Sequence, residues 1–145
     1  MLSDERRRIL RVIDANCNRL RDGLRVLEDT LRFVYDSDNY KKIRRIRLQL
    51  FRFLSNEHSS LVAARSSDRD IGKNLRQGKY KNVGDLFRAN FSRCSEALRV
   101  LEEYYRLVSS ARSRKMKEFR FKLYEVERKF HRLTKYETIE KNSVI

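Results

Sequence analysis

Residues Ala15 to Val34 recur 74 positions later as Ala89 to Val108, with ten identities in twenty. Ala15, Asn16, Arg19, Leu24, Arg25, Val26, Leu27, Glu28, Arg32 and Val34 match Ala89, Asn90, Arg93, Leu98, Arg99, Val100, Leu101, Glu102, Arg106 and Val108. A second stretch overlays at a shift of 73, where Lys42, Arg47, Leu50 and His58 meet Lys115, Arg120, Leu123 and His131. A chain made of two copies of one unit is confined to folds in which that unit packs against itself.

The unit is helical. Apolar residues step by four and three along Ile13, Cys17, Leu20, Leu24, Leu27, Leu31 and Val34, which is one face of a helix over about residues 4 to 35, roughly 48 Å long. Ser3 is a plausible cap, with Asp4 and Glu5 in the first turn. Asp36 to Asn39 reads as a turn. Tyr40, Ile43, Ile46, Leu50, Phe53 and Leu61 then carry a second helix to about Ala64. Periodicity fails between Arg65 and Gly84, where three of the four glycines fall. It resumes after Asn82 with Phe87, Phe91, Cys94, Leu98, Leu101, Tyr105 and Val108, and again with Met116, Phe119, Leu123, Val126, Phe130 and Leu133. Proline is absent, so little interrupts helices. The expected fold is all-α: an antiparallel helical bundle of two duplicated αα-hairpins. Repeat one spans about 4–64, the joining loop 65–84, repeat two about 85–138, and residues 139–145 form a tail.

Composition narrows the class. The chain has 145 residues and is 40% hydrophobic, with eight Phe and seven Tyr, enough to close a core. No run approaches the roughly 20 apolar residues of a membrane span, and residues 4 to 8 are charged rather than signal-like. A soluble cytoplasmic protein with no membrane partner is expected. Cys17 and Cys94 both lie on apolar stripes, read as small buried hydrophobes rather than zinc ligands or a disulfide. Phosphate-binding, dinucleotide-binding, zinc-protease and serine-hydrolase signatures are all missing.

Core leucines repeat because a bundle needs them; repeated polar residues ask for another reason. On a helical wheel Asn16, Arg19 and Gly23 share one shoulder of the apolar stripe, as do Asn90, Arg93 and Ala97 in the second copy. Asn and Arg bordering a small residue suggest a notch of donors suited to phosphate, against the plainer reading of contacts at the bundle ends. Glu28 and Glu102 lie on the other shoulder and read equally as ion-pair partners of Arg32 and Arg106 or as functional carboxylates. Arg25 and Arg99 point outward, and His58 and His131 read as surface residues. The long loop holds Arg65, Asp68, Asp70 and Gly72: phosphate-binding charge, potential Mg²⁺ ligands and a permissive backbone.

The stretches Asp14-Ala15-Asn16-Cys17-Asn18-Arg19, Asp22-Gly23-Leu24-Arg25-Val26-Leu27-Glu28-Asp29 and Arg32-Phe33-Val34 resemble the first signature of a small helical family of thiamin biosynthesis. Arg88 to Arg93 and Glu96 to Glu103 resemble its second. The family is the hydroxymethylpyrimidine phosphate kinase unrelated to the ribokinase type, found alone or fused ahead of thiamin phosphate synthase. In the loop Arg65, Asp70 and Gly72 match the family, while Ser66, Arg69 and Lys73 depart from it. The resemblance implies phosphorylation of 4-amino-5-hydroxymethyl-2-methylpyrimidine phosphate to the diphosphate with ATP and Mg²⁺. It places Arg19, Arg93 and Asp70 in catalysis. Asn16, Asn90, Arg65, Gly23 and Gly72 would bind substrate or phosphate, with the asparagines as orienting donors; Asp70, Glu28 and Glu102 are the Mg²⁺ candidates. A homodimer and a thiamin phosphate synthase are the protein partners to weigh; no strand–helix alternation here suggests the synthase barrel itself.

A net charge of +15 supplies the rival reading, a basic bundle that binds RNA nonspecifically. Lys41, Lys42, Arg44, Arg45 and Arg47 form a basic stretch partly echoed by Arg112, Arg114, Lys115 and Lys117. A solvated face or a field that attracts anionic substrates explains it equally well. A non-catalytic accessory subunit of the thiamin pathway is a third reading.

Overall fold

The computed structural model describes residues 3–143 apart from position 76, with side chains described as far as residue 131. Among the described residues there are five α-helices: α1 (Asp4–Asp29), α2 (Tyr40–Leu54), α3 (His58–Ala64), α4 (Val83–Tyr105) and α5 (Ser110–Ser143). No strand occurs among the described residues. The fold is the all-α bundle of two related hairpins, α1 with α2–α3 and α4 with α5, joined by the 65–82 loop.

Helix starts follow the polar residues in front of them. Ser3 Oγ accepts the Arg6 N–H at 3.2 Å, and Asn82 Oδ1 accepts the Asp85 N–H at 2.8 Å. Each satisfies one of the donors that a first turn leaves free. The asparagine cap starts α4 at Val83, slightly ahead of the expected loop end at 84.

Two departures from regular periodicity have local causes. The end of the first helix widens into a π turn, Thr30–Val34, with Thr30 Oγ1 donating to the Val26 carbonyl at 2.7 Å. The widened turn shifts the register, so Val34, expected in the core, is 53% exposed. Asp36 then closes the turn with a left-handed φ of 47°. The second expected helix is interrupted by a 3₁₀ turn at Ser55–Glu57. Neither proline nor glycine marks the break; Glu57 is held there by the Tyr105 hydroxyl, which donates at 2.8 Å, and by Arg112 Nε at 3.0 Å. The side chain of Leu133, assigned to the last stripe, lies outside the described residues.

α1 packs chiefly on α4, and each also packs on its own hairpin partner, with α2 against α5 closing the bundle. α1 and α4 run antiparallel: Tyr35, just past the end of α1, meets Phe87 near the start of α4 edge to face at 5.7 Å. Phe87, Phe91 and Phe130 continue that aromatic cluster, while Ile13, Leu20, Leu24, Leu27, Leu98 and Leu101 fill the centre. Burying one such leucine is worth about 1.5–3 kcal/mol. The helices approach closely at Gly23, where a Cβ would stand 2.5 Å from Cys94 Sγ. Both cysteines are buried and free, their thiols pushed up to about 12, chiefly by burial. They are packing groups, as their stripe positions implied. Among the described residues no helix is long and apolar enough to cross a membrane.

Candidate functional site

Along the α1–α4 seam lies a groove of about 530 Å³. Its lining consists of Asn16 with Asn90, Arg19 with Arg93, Asp22 with Glu96, Gly23 with Ala97, and Val26 with Val100, together with Gln77 from the loop. Every one of those pairs is separated by the 74-residue repeat. The groove therefore sits on the approximate two-fold axis, and it is one composite site rather than two copies.

A second cleft, about 590 Å³, opens beside it and shares Asn16 and Arg19. Arg8, Arg11, Arg19 and Arg65 line it, with Ser66, Ser67 and Asp70 from the loop. Asp14 fixes its wall: this carboxylate is 6% exposed and accepts from Arg65 Nε and Nη2, both at 2.8 Å. That fork also raises the Arg65 guanidinium above its ordinary value, by hydrogen bonding and charge. Arg11 Nη2 donates to the Ser66 carbonyl at 3.3 Å and holds the loop a second time. Asp70 Oδ1 accepts the Gly72 N–H at 2.9 Å, closing the turn that sets its direction.

The site residues expected from the sequence fall into four groups. Arg19, Arg93, Asn16, Asn90 and Gly23 come together in the axial groove, and Arg65 and Asp70 join Arg19 in the arginine cleft. Gly72 lines neither; it serves the Asp70 turn with an ordinary backbone conformation. Glu28 and Glu102 are elsewhere, in duplicated ion pairs. Glu28 receives Arg47 Nε at 2.6 Å and Nη2 at 3.2 Å, and Glu102 receives Arg120 Nε at 3.1 Å and Nη2 at 2.9 Å. Their carboxylates are occupied and buried, so a metal role does not fit them. Nor do they pair with Arg32 and Arg106: Arg32 lies over the rings of Phe33 and Tyr40, and Arg106 meets Glu103. Arg25 and Arg99, read as pointing away, are 57% exposed yet lean back to Glu28 and Glu102 at 3.6 and 3.3 Å.

The asparagines are committed in part. Asn16 Nδ2 donates to the Val12 carbonyl at 2.9 Å, and Asn90 Nδ2 to the Leu86 carbonyl at 2.8 Å. Each amide nitrogen gives one of its two N–H groups to its own helix, which leaves the other as a donor. Three acids are further site residues that the sequence reasoning did not single out. Asp14 belongs to the first signature but has no acidic counterpart, since the repeat places Arg88 there. Asp22 and Glu96 are repeat partners that differ in type, and a comparison of identities passes over them.

The arginine-walled cleft and the axial groove thus meet at Asn16 and Arg19 within a duplicated helical bundle. Residues 11–129 match the ThiD2 family, and the chain belongs to that family. It is similar to the thiamine-phosphate synthase of Gloeobacter violaceus, with 39% identity over 123 residues, 82% of this chain and 35% of the relative. The thiamine-phosphate synthases of Thermosynechococcus vestitus and a Synechocystis strain are 36% and 37% identical, covering 86% and 82% of this chain and 36% and 35% of their own length. The chain thus spans about a third of the curated relatives it matches, which are named for an enzyme of thiamin biosynthesis. No solved structure matches it.

Proposed function

We propose that this chain is a phosphotransferase that converts 4-amino-5-hydroxymethyl-2-methylpyrimidine phosphate to the diphosphate with ATP. The observation that carries this reading is the junction of the two clefts at Arg19: one cleft holds four guanidiniums, and the other is large enough for a small heterocycle. A phosphate oxygen of the pyrimidine attacks the γ-phosphorus of ATP, a new P–O bond forms as the bond to the β-phosphate oxygen breaks, and ADP leaves. The nucleophile is already an anion, so no strong base is required. The work is to gather like charges in line, which positioned arginines do by neutralising them. Arg19 and Arg93 hold the acceptor phosphate, and Arg8, Arg11 and Arg65 the triphosphate.

Mg²⁺ fits this cleft through Asp70, whose second carboxylate oxygen is left by the Gly72 contact. Among the described residues no three acidic, histidine or cysteine side chains converge. That suits an ion that takes one or two carboxylates and completes its shell with water and substrate phosphates. The ion supplies further charge neutralisation on the transferred group. Asp14 positions Arg65 rather than touching substrate.

In the basic stretches Arg47 and Arg112 turn into ion pairs with Glu28 and Glu57, while Lys41, Lys42, Arg44, Arg45, Arg114 and Lys117 stay exposed, as a field for anionic substrates requires. The test is incubation of nuclease-treated protein with ATP, Mg²⁺ and the pyrimidine phosphate, following the diphosphate by mass spectrometry. Arg19→Ala and Arg93→Ala should each lower kcat/KM by about 100-fold, with Arg25→Ala close to wild type. Equal losses in all three would remove the groove from the mechanism. Absence of diphosphate from folded protein would remove the kinase.

A further inference from the structure

Across the 73-residue repeat one row of side chains keeps its shape and reverses its charge. On α2 the residues opposite the buried Ile43, Ile46 and Leu50 are Lys41, Arg45, Leu48 and Arg52, which step by four and three along the exposed pole of the helix. Their repeat partners on α5 are Arg114, Glu118, Phe121 and Glu125, exposed at the pole opposite Met116, Phe119 and Leu123. An apolar residue thus stands between two arginines on α2 and between two glutamates on α5. Leu48 is 48% exposed and Phe121 51%, with Tyr124 edge-on to Phe121 at 6.0 Å. A lone exposed apolar residue asks for no explanation, but these two recur in register with opposite charges around them.

Neither row is satisfied within its own chain. Among the described residues the Arg45 and Arg52 guanidiniums meet no carboxylate. Glu118 receives Lys115 Nζ at 3.4 Å and Glu125 receives Arg128 Nη2 at 3.3 Å, exposed pairs along the same helix that are worth little. Around Phe121 lies a shallow hollow of about 520 Å³, walled by Lys117, Glu118, Lys122 and Glu125. α2 and α5 pack side by side as the second layer of the bundle, and neither lines the axial groove. Both rows look out from the outer face of that layer.

We infer that this face binds a second copy of the chain, with α2 of each copy lying on α5 of the other. Turning one copy by a half-turn about an axis in the face, along the helices, sets α2 antiparallel on α5 of the second copy. With Leu48 seated in the hollow at Phe121, Arg45 reaches Glu125 of the second copy and Arg52 reaches Glu118. The two-fold repeats the contact, so arginine–glutamate pairs ring two apolar contacts. The other face-to-face turn, α2 on α2, brings arginine onto arginine and glutamate onto glutamate, and the same charges reject it. Each copy carries +15, which opposes association at long range; the acids of α5 offset that repulsion where the copies touch. Two helices about 22 Å long and about 10 Å wide bury about 900 Å² in total, the lower end for a specific complex. The dimer therefore forms and dissociates at about 10–100 μM.

The experiment is sedimentation equilibrium on the full chain from about 5 to about 500 μM. Wild-type protein should pass from monomer to dimer across that range. Arg45→Glu/Arg52→Glu sets glutamate against glutamate and should weaken the dimer at least about tenfold; Glu118→Arg/Glu125→Arg should do the same with arginine against arginine. An equimolar mixture of the two variants should recover the dimer, because every contact then pairs arginine with glutamate again. Wild-type protein that stays monomeric throughout overturns the inference. So does a mass that climbs past the dimer, since a face shared in this way closes at two. A dimer indifferent to either reversal, or a mixture that stays monomeric, overturns it as well. The four charged positions are exposed, and circular dichroism checks that the variants keep the wild-type helix content. Should a reversal fail to fold, Leu48→Ala/Phe121→Ala, which keeps every charge, takes its place and should weaken the dimer at least about tenfold.

Discussion

At Gly23 helix propensity and packing oppose each other. Alanine in place of a mid-helix glycine ordinarily stabilises by about 1 kcal/mol. Here the new Cβ would stand 2.5 Å from Cys94 Sγ, with the Asn90 carbonyl 3.7 Å away. The clash is the larger effect, and Gly23→Ala is expected to cost about 1–3 kcal/mol in urea denaturation. Combining it with Cys94→Ala removes the opposing sulfur and should return part of that loss. The two thiols also set a pH dependence. Folding moves each from 9.0 to about 12. Stability from this source is intact below pH 9 and falls as pH rises toward 12, because the unfolded chain releases the protons that the folded chain retains. Tyr105, buried against Glu57 and likewise raised, acts in the same direction. Denaturation at about pH 7.5 and about pH 10 should therefore show a smaller loss for Cys17→Ala/Cys94→Ala than for wild type.

At the level of elements, the hairpins are tied by ion pairs that the duplication carried with it. Glu28–Arg47 joins α1 to α2, and Glu102–Arg120 joins α4 to α5. Glu28 is 5% exposed and Arg47 19%. Removing one partner leaves the other desolvated and uncompensated, so Glu28→Ala should cost about 3–5 kcal/mol, and Glu28→Leu/Arg47→Leu much less. A variant that changed the Mg²⁺ dependence of turnover with unchanged stability would return Glu28 to the site. Helix identity and pairing were legible in the sequence because burial imposes a 3.6-residue period that identities across the repeat made plain. The 3₁₀ break at Ser55–Glu57 was not, because its cause is Tyr105 and Arg112, about 50 residues away. The same limit explains the site. Arg19 and Arg93 stood out as repeated polar residues, but the direction of the Asn16 amide depends on a backbone carbonyl that sequence does not show. Asp14 acquires meaning only when the loop brings Arg65 to it.

For the whole molecule, a net charge of +15 sets up a field attractive to anions. Its effect on turnover should be kinetic and screened by salt. For the proposed phosphotransfer, raising ionic strength from about 50 mM to about 500 mM should lower kcat/KM for the doubly anionic pyrimidine phosphate several-fold, with little change in kcat. A fall in kcat alone would point instead to loss of the loop's ion pairs. The 65–82 loop runs from the Asp14 tether past the groove at Gln77 and on to Tyr80, which lies 6.0 Å from the Arg93 guanidinium. Among the described residues it is the segment outside α1 and α4 that lines the groove, through Gln77. A perfectly two-fold cavity admits an asymmetric ligand in two equivalent poses, and half of all encounters are then backwards. By placing Asp14 where the other half has Arg88, and one strap along one side, the chain breaks that degeneracy: a duplicated pocket acquires a front and a back.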